Sequence, residues 1–480
     1  MSDSHDGSRK VKIVATLGPA SASPQAVEAL AREGVNVFRL NAAHLEPAQI
    51  PVFVELVRAV ETIVGHPLAV FCDLAGPKLR VARSAPPVSV VEGSAISIGD
   101  ATSGVDVIVD GMDPARECPI GSRVLIHDGK IVLRVTAVSG GIVRADVVRG
   151  GDVAAGMGVN LPDVETSLPS LTQDDLECLA AALDAGIDAC SLSFVRRVQD
   201  VTALREHMAR HGRTVPIIAK LEKAQAVSPE ALIPILAAAD MVMVARGDLG
   251  AETSPEMVPV LQKRILQAAR AAGVPTITAT EMLESMIHEP RPTRAEANDV
   301  ANAVFDGSDA VMLSAETAVG DHPAMAVAAC ARIVREAELH PEFRTSWAAA
   351  PSHAAALDPV SDAVAGAATT AVEHLAAKAV VCFTQSGRTA LLVARHRPST
   401  PILALTPRVE VARALALVWG VIPRVVLEQP DDHEEVVHLA EREAVREGLA
   451  AKGDLVVVTH GAPVTAQPLT NLMRVHRVGG

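Results

Sequence analysis

Tyrosine is absent from this sequence of 480 residues, and aromatic residues together make up only 2% of it. Any core must therefore be packed mainly with alanine, valine and leucine, and hydrophobic residues reach 49%. The length allows about two to four domains. A formal net charge of −14 argues against binding to nucleic acid or an anionic membrane, but it leaves room for a local basic pocket for phosphate.

Cysteine is scarce and scattered along the chain. No two of the six cysteines stand at a spacing typical of metal sites, so we interpret them as reduced thiols in a reducing compartment. The polar start, MSDSHDGSRK, lacks the apolar segment of a signal peptide, and no apolar run reaches membrane-spanning length. We therefore expect a soluble cytoplasmic protein with neither a nucleic-acid nor a membrane partner.

Short apolar runs of strand type recur along the chain, with helical patterns between them. Continuous apolar strands that alternate with helices favour a parallel sheet covered on both faces. Eight such units favour an α/β fold with a closed (β/α)8 TIM barrel, and an open doubly wound sheet is the alternative. The eight runs are Lys12–Thr16, Val35–Leu40, Leu68–Leu74, Ala189–Val195, Pro216–Leu221, Met241–Arg246, Pro275–Thr280 and Ala310–Ala315.

The helices between these runs carry start and stop signals. Ser23 followed by Pro24 predicts a helix start, and Gly34 predicts its end. In the same way, a second helix is predicted to begin at Thr172, which acidic residues follow, and to end at Gly186.

Two stretches interrupt the alternation. Residues 81–159 show short alternating runs, with Asp128-Gly129 as a hairpin signal, and predict an all-β domain inserted into a barrel of residues 1–80 and 160–342. The stretch SWAAAPSHAAALDP reads as a linker. The patterns that follow it predict a C-terminal α/β domain at 355–480.

Polar and charged residues stand where the predicted strands end. In IIAKLEKA, Lys220 and Glu222 lie two apart and face the same side, and the active site of a (β/α)8 barrel lies at this rim. Carboxylates without histidine or cysteine neighbours suit Mg2+, so Glu222 and Asp248 are candidate ligands. Salt bridges with Lys220 and Arg246 are an alternative that does not exclude the metal. The rim residues are Thr16, Arg39, Asn41, Asp73, Ser193, Lys220, Glu222, Arg246, Asp248, Thr280, Ser314 and Glu316.

A cationic side chain beside a metal site points to an anionic substrate. Arg39 and Lys220 indicate that the substrate carries phosphate or carboxylate. A metal ion, a lysine and an arginine around one point are typical of enzymes that transfer phosphoryl groups.

Almost the whole chain resembles the pyruvate kinase family. The resemblance rests on KIVATLGPAS, GVNVFRLNAAH, GPKLR, GVNLP, IIAKLEK, MVMVARGDLG, FTQSGRTA and, above all, the long stretch Thr278–Ala318. It implies a glycolytic enzyme that transfers the phosphoryl group of phosphoenolpyruvate to ADP and gives ATP and pyruvate. The inserted domain would then be a lid that excludes water.

The resemblance also implies a role for each rim residue. Mg2+ or Mn2+ would be held by Glu222 and Asp248. The substrate would meet Arg39, Thr280 and the backbone of Ala245, Arg246, Gly247 and Asp248, with Gly247 allowing close approach in a tight turn. The expected catalytic residues are Arg39, Lys220, Thr280, Ser314 and Glu316, and the nucleotide side consists of Pro19, His44 and Arg80.

The monovalent-cation region departs from the family. The usual Asp-Thr-Lys-Gly-Pro-Glu reads DLAGPK here, and Ala43 stands where a serine is usual. Only Asn41 and Asp73 remain of the four K+ ligands, while Lys78 replaces the acidic residue. This pattern resembles the K+-independent branch, and our hypothesis is that the ammonium of Lys78 stands in for K+.

Three further departures concern the nucleotide side. Met157 and Val319 replace lysines, and Glu281 replaces a glutamine. The loss of two cations predicts weaker ADP binding by about 1 kcal/mol each, and a changed nucleotide preference is open.

The C-terminal domain contains a candidate anion site at a strand-to-helix turn. Either this turn cradles a phosphate at a helix N-terminus or it is an ordinary capped helix; the resemblance favours a sugar-phosphate or AMP effector and a homotetramer. The residues concerned are Thr384, Ser386, Gly387, Arg388 and Thr389.

Two rival functions remain open at this point. A different metal-dependent barrel enzyme, such as an aldolase, would share the two carboxylates but would not need the lid. A catalytically inactive regulator would fit Met157 and Val319 but not the intact Lys220 and Thr280.

Overall fold

A computed structural model describes residues 9–100, 104–113, 117–127, 129–164, 169–340, 358–462 and 469–480. Within them, eight parallel strands close into a barrel, which confirms the (β/α)8 prediction and rules out the open sheet. The strands are β1 (Lys12–Leu17), β2 (Val37–Asn41), β3 (Ala69–Asp73) and, after nine further strands, β13 (Ala189–Leu192), β14 (Ile217–Leu221), β15 (Met241–Ala245), β16 (Thr276–Ala279) and β17 (Ala310–Leu313).

Helices connect these strands on the outside of the barrel. Ser23 caps the first helix by accepting a hydrogen bond from the N–H of Ala26, and Thr172 caps the third, so both predicted starts are confirmed. The helices are α1 (Pro24–Arg32), α2 (Ile50–Val64), α3 (Gln173–Ala185), α4 (Val198–His211), α5 (Pro229–Ala238), α6 (Arg246–Glu252), α7 (Val258–Ala272), α8 (Arg294–Phe305), α9 (Ala315–Ala318) and α10 (Pro323–Leu339).

Between β3 and β13 the chain forms a second, smaller barrel of seven strands and a two-stranded sheet. Its first and last strands, β4 and β12, pair with each other, and the predicted boundaries at 80/81 and 159/160 fall inside them. Asp128 of the hairpin signal lies outside the described residues, although the two strands around it do pair. The strands are β4 (Leu79–Val81), β5 (Val88–Val90), β6 (Ala95–Gly99), β7 (Val107–Asp110), β8 (Arg123–Ile126), β9 (Ile131–Ser139), β10 (Ile142–Arg149), β11 (Gly151–Val153) and β12 (Gly158–Asn160).

The C-terminal part forms a five-stranded sheet flanked by helices. Most of the linker predicted before it, residues 346–357, lies outside the described residues. The elements are α11 (Pro359–Leu375), β18 (Val380–Phe383), α12 (Arg388–Arg395), β19 (Ile402–Thr406), α13 (Val409–Leu415), β20 (Val421–Val425), α14 (His433–Arg446), β21 (Leu455–His460) and β22 (Leu472–Arg477). No helix among the described residues is long and apolar enough to cross a membrane.

The C-terminal part closes the floor of the large barrel. Ala416 and Leu417 pack in the same cluster as the side chains inside the barrel. Beside them, the buried ammonium of Lys12 donates to the carbonyl oxygen of Val421 at 2.6 Å. Burial, together with the nearby charge of Arg9, lowers the pKa of Lys12 to about 7. The two parts are therefore joined through a lysine that gives up its proton near neutral pH.

The lowered pKa of Lys12 predicts a pH-dependent stability. In the unfolded chain Lys12 keeps its proton up to its ordinary pKa of 10.5, whereas in the folded chain it loses the proton near 7. The unfolded state thus binds more protons between these values, and stability rises with pH across that window. We expect the melting temperature of the wild type to rise relative to Lys12→Met between pH 7 and 10. Parallel curves would contradict this, and Lys452→Met on the surface is the control.

Candidate active site

All eight strands of the large barrel run in the same direction, so their carboxyl ends meet at one rim. The charged side chains predicted there come from neighbouring strands. Asn41 and Asp73 are register partners of β2 and β3. Strand β14, which ends one residue before Glu222, pairs with β15, which ends three residues before Asp248.

The buried carboxylate of Asp73 organises the cations of the rim. It accepts from Nε of Arg39 at 2.7 Å and lies 3.4 Å from Nζ of Lys220. Ser191 donates a short hydrogen bond to Oδ1 of Asp73, the oxygen that faces Lys220. Lys220 also lies 2.8 Å from Glu222 Oε1 and donates to Ser193 at 2.8 Å. Two cations and two carboxylates from three neighbouring parts of the rim, at β2, β3 and β14, thus form one network.

The electrostatics of this network keep its members charged. Burial pushes the pKa of Asp73 up, but the charges of Lys220 and Arg39 outweigh it and lower that pKa below its ordinary value. Burial alone would lower the pKa of Lys220, yet Asp73 and Glu222 raise it instead. Lys220 therefore stays an ammonium ion, which can bind an anionic group.

Glu222 and Asp248 differ in how their charge is balanced. Burial raises the pKa of Glu222, although Lys220 offsets part of that rise. Burial acts on Asp248 as well, but there the charge and hydrogen bond of Lys78, together with the charges of Lys220 and Lys223, outweigh it and lower the pKa. Nζ of Lys78 lies 2.7 Å from Asp248 Oδ1. The salt-bridge alternative is therefore correct for Glu222 with Lys220 and wrong for Asp248 with Arg246.

The donor atoms at this point fit a hard divalent cation. Glu222 and Asp248 offer carboxylate oxygens from adjacent strands, and Mg2+ commonly takes one or two such ligands and completes its shell with water and substrate. Among the described residues no group of three or more histidine, cysteine, aspartate or glutamate side chains could hold a metal.

The segment from Ala245 to Asp248 is the start of helix α6 rather than the expected tight turn. Arg246 turns away from Asp248 and lies 2.7 Å from Asp299. A Cβ at Gly247 would approach only Thr280, with Oγ1 at 3.8 Å, so packing within the chain does not require this glycine.

Thr280 has a left-handed backbone, with φ of 71°, and so does Glu281, with φ of 54°. Such conformations are costly for residues other than glycine and cluster at functional sites. The Thr280 hydroxyl accepts from the N–H of Gly247 at 2.9 Å and donates to the carbonyl of Ala279 at 2.6 Å. This strained residue is thereby tied to the segment that carries Asp248.

Ser314 and Glu316 follow the end of β17. Glu316 accepts from the N–H groups of Leu283 and Ser314, at 3.1 and 2.6 Å. Its carboxylate therefore braces two loops, and burial raises its pKa. The Oγ of Ser314 is buried without a hydrogen-bond partner among the described residues.

Of the three residues assigned to the nucleotide side, His44 lies near the cations Arg80 and Arg39. Burial lowers the pKa of His44, and the positive charges of Arg80 and Arg39 lower it further. Arg80 donates to the carbonyl of Gly156 at 3.0 Å, and Pro19 begins a short 3-10 helix just after β1. Val319, at a usual lysine position, is exposed.

The monovalent-cation residues already have partners. Asn41 accepts from the N–H of Ala43 at 3.3 Å, and Asp73 binds Arg39 and Lys220 as described above. The stem of Lys78 runs along Gly158 of the small barrel, where a Cβ would lie 2.8 Å from Lys78 Cε. The Lys78 side chain therefore passes close to the backbone of the small barrel.

The candidate effector turn lies before helix α12, at the carboxyl end of β18. Gly387 has φ of 84° and its N–H donates to Thr384 Oγ1 at 2.9 Å. Thr389 shares a hydrogen bond of 2.7 Å with Thr470. Ser386 is exposed, and Nε of Arg388 is buried without a hydrogen-bond partner among the described residues.

Three contributors at the rim were missed by the sequence reasoning. Asp299 holds Arg246, Glu252 lies 2.5 Å from Lys223, and the N–H of Phe194 donates to Glu222 Oε2 at 2.7 Å. The sequence offered a signal only for Phe194, which follows the polar Ser193 near the end of the predicted strand Ala189–Val195. In the structure this strand already ends at Leu192.

Comparison with known proteins identifies one protein family over most of the chain. Residues 8–327 match the family model described as pyruvate kinase, barrel domain, and residues 362–476 match pyruvate kinase, alpha/beta domain. The pyruvate kinase of Mycobacterium intracellulare is 42% identical, over 98% of this chain and 99% of its own. That of Methylorubrum extorquens is 40% identical, over 98% and 97%. Pyruvate kinase 2 of Synechocystis sp. is 39% identical, over 98% and 79%.

The bracing role of Glu316 predicts a stability effect. In Glu316→Gln, one of the two N–H groups would face an amide NH2 instead of an oxygen, and an unsatisfied buried donor costs about 1–3 kcal/mol. We expect a lower free energy of unfolding in urea. Glu289→Gln, which changes an exposed glutamate nearby, should be close to neutral. Equal effects of the two substitutions would contradict the bracing role.

Proposed function

Because this chain belongs to the pyruvate kinase family and is a phosphotransferase of that type, we propose that it transfers the phosphoryl group of phosphoenolpyruvate to ADP, giving pyruvate and ATP, with Mg2+ or Mn2+ at Glu222 and Asp248. The observation that carries the proposal is the network of Arg39, Asp73, Lys220 and Glu222 beside Asp248. It supplies fixed positive charge and two metal-type carboxylates at one point of the rim.

The chain's own residues would act as follows. Arg39 and Lys220 bind the phosphoryl oxygens, since both cations are already oriented by Asp73. A bound divalent cation would supply positive charge next to the oxygens that become negative during transfer. Thr280, together with water, Ser314 and Glu316, lies on the path of the proton that reaches the substrate carbon. Substrate carboxylate meets the backbone at Ala245–Asp248.

The surroundings of the site have roles in the same proposal. The small barrel closes over the substrates and excludes water. ADP lies against Pro19, His44 and Arg80. Since Met157 and Val319 supply no charge there, nucleotide binding depends more on Arg80.

We extend the proposal to the monovalent cation. The charge that K+ supplies in most relatives comes here from Lys78, whose ammonium is held at Asp248. Asn41 is engaged with Ala43, and neither Ala43 nor Leu74 carries a side-chain oxygen for K+. The enzyme therefore works without K+.

Regulation, assembly and location complete the proposal. A sugar phosphate or AMP binds the turn Thr384–Thr389, the protein is a homotetramer, and it acts in glycolysis in the cytoplasm. Of the rivals, the aldolase is excluded by the family. The inactive regulator makes the opposite prediction in the assay described next.

The first test is pyruvate formation from phosphoenolpyruvate and ADP with Mg2+, in Tris buffer free of K+. We expect full activity that added K+ raises less than twofold. Absence of turnover with and without K+, with ADP and GDP at high concentration and with sugar phosphate and AMP present, would favour the inactive regulator.

The second test replaces the ammonium of Lys78 with a binding site for free K+. The variant Ala43→Ser/Leu74→Thr/Lys78→Glu restores the family's oxygen ligands, and we expect it to need K+ for activity. Lys78→Gln alone should lose at least tenfold in kcat, and K+ should not restore it because two ligands are still missing. The Lys78 assignment fails if Lys78→Gln keeps wild-type activity without K+.

A further inference from the structure

Phe194 adopts a backbone conformation that aromatic residues avoid. It lies just beyond strand β13, is buried, and has φ of 54°. A left-handed backbone is costly for a bulky residue, and it persists only where the surrounding structure imposes it. The chain contains only seven phenylalanines, so a strained one beside the candidate metal ligands calls for a physical reason.

The first reason is the direction of the Phe194 N–H. It donates to Glu222 Oε2 at 2.7 Å, while the other oxygen of Glu222 lies 2.8 Å from Nζ of Lys220. The carboxylate is thereby held from two sides, and its orientation depends on the backbone angle at Phe194.

The second reason is the position of the Phe194 ring. Nζ of Lys78 lies 5.9 Å and Nζ of Lys223 lies 5.6 Å from the ring centroid, both within the reach of a cation–π interaction. Each ammonium also meets a carboxylate, Asp248 for Lys78 and Glu252 for Lys223. The ring therefore shares two cations with the acidic side chains around the site.

The ring is held in place by the loop that carries Lys78. Gly76 of that loop has φ of 69°, and a Cβ there would lie 2.9 Å from Phe194 Cδ2 and 3.0 Å from Ser193 Cβ. The loop backbone can rest on the ring only because residue 76 is glycine. The ring, the loop and Lys78 thus form one packed unit.

We propose that Phe194 is a positioning residue of the divalent-metal site. Its N–H orients Glu222, and its ring weakens the ion pair between Lys78 and Asp248. The inference rests on the proposed function, since it concerns the same two carboxylates. Without the ring, Lys78 and Lys223 lose a competing attraction and bind the carboxylates more tightly. A divalent cation must then displace stronger ion pairs, so it binds more weakly.

The test measures Mn2+ binding directly, from the electron paramagnetic resonance signal of free Mn2+ in titrations without substrate. Phe194→Leu keeps the N–H and the apolar bulk but removes the aromatic face. We expect its Mn2+ dissociation constant to rise at least fivefold, and Phe194→Tyr to restore it to within twofold of the wild type. Phe383→Leu, the same change in the buried core of the C-terminal part, should leave Mn2+ binding unchanged.

A double variant separates the electrostatic role from simple packing. If the ring acts through Lys78, adding Phe194→Leu to Lys78→Gln should change the Mn2+ dissociation constant by less than twofold. An undiminished effect in that background, or wild-type binding by Phe194→Leu, overturns the proposal. If Phe194→Leu does not fold, judged by its melting curve, Phe194→Met is measured in its place against the same two criteria.

The same protein preparations separate the two levels of the inference. A wild type that neither binds Mn2+ nor converts phosphoenolpyruvate refutes the proposed function and this inference with it. A wild type that does both, together with unchanged binding by Phe194→Leu, refutes the role of Phe194 alone.

Discussion

The buried carboxylate of Asp73 is the interaction on which the rest of the active site depends. It gathers Arg39 and Lys220 at the end of β3 and keeps its charge because these two cations outweigh the effect of burial. Removing one partner of such a buried set leaves an uncompensated charge, which commonly costs about 3–5 kcal/mol. The closed barrel stabilises this arrangement, because Arg39, Asp73 and Lys220 each lie on a strand that is hydrogen-bonded to a neighbouring strand on both sides. A site that binds phosphate with preset cations requires such a rigid frame.

The fold was largely predictable because it follows from local periodicity. All eight barrel strands begin and end within three residues of the apolar runs, and Ser23 and Thr172 cap their helices as predicted. The rim residues were predictable by the same logic, because parallel strands bring their carboxyl ends together. The pairings between them were not predictable. Lys78 reaches Asp248 across 170 positions of the chain, and Arg246 takes Asp299 instead of its neighbour Asp248. Such contacts depend on rotamers and packing that no pattern in the sequence records.

Backbone strain and contacts between domains could not be predicted from the sequence either. The left-handed angles of Phe194 and Thr280 are imposed by surrounding contacts, so propensity argues against them. The sequence makes Glu316 a candidate catalytic residue, but no pattern in it shows that the carboxylate also accepts hydrogen bonds from two N–H groups. The floor of the barrel, where Leu417 joins the interior cluster, could not be inferred because the two segments are more than 100 positions apart.

A tethered cation differs from a free ion in what it demands of the protein. K+ needs several oxygen ligands but no space for a stem, whereas Lys78 needs a channel for four methylenes and one anionic partner. The structure provides the partner as Asp248, at 2.7 Å, and the space for the stem beside Gly158, where a Cβ would lie 2.8 Å from Lys78 Cε. Because Gly158 belongs to β12, the strand that leads back from the small barrel, the position of the small barrel and the position of the Lys78 side chain are linked. If Lys78 stands in for K+ as proposed, side-chain oxygens at positions 43 and 74 would have no ion to bind, and Ala43 and Leu74 carry none.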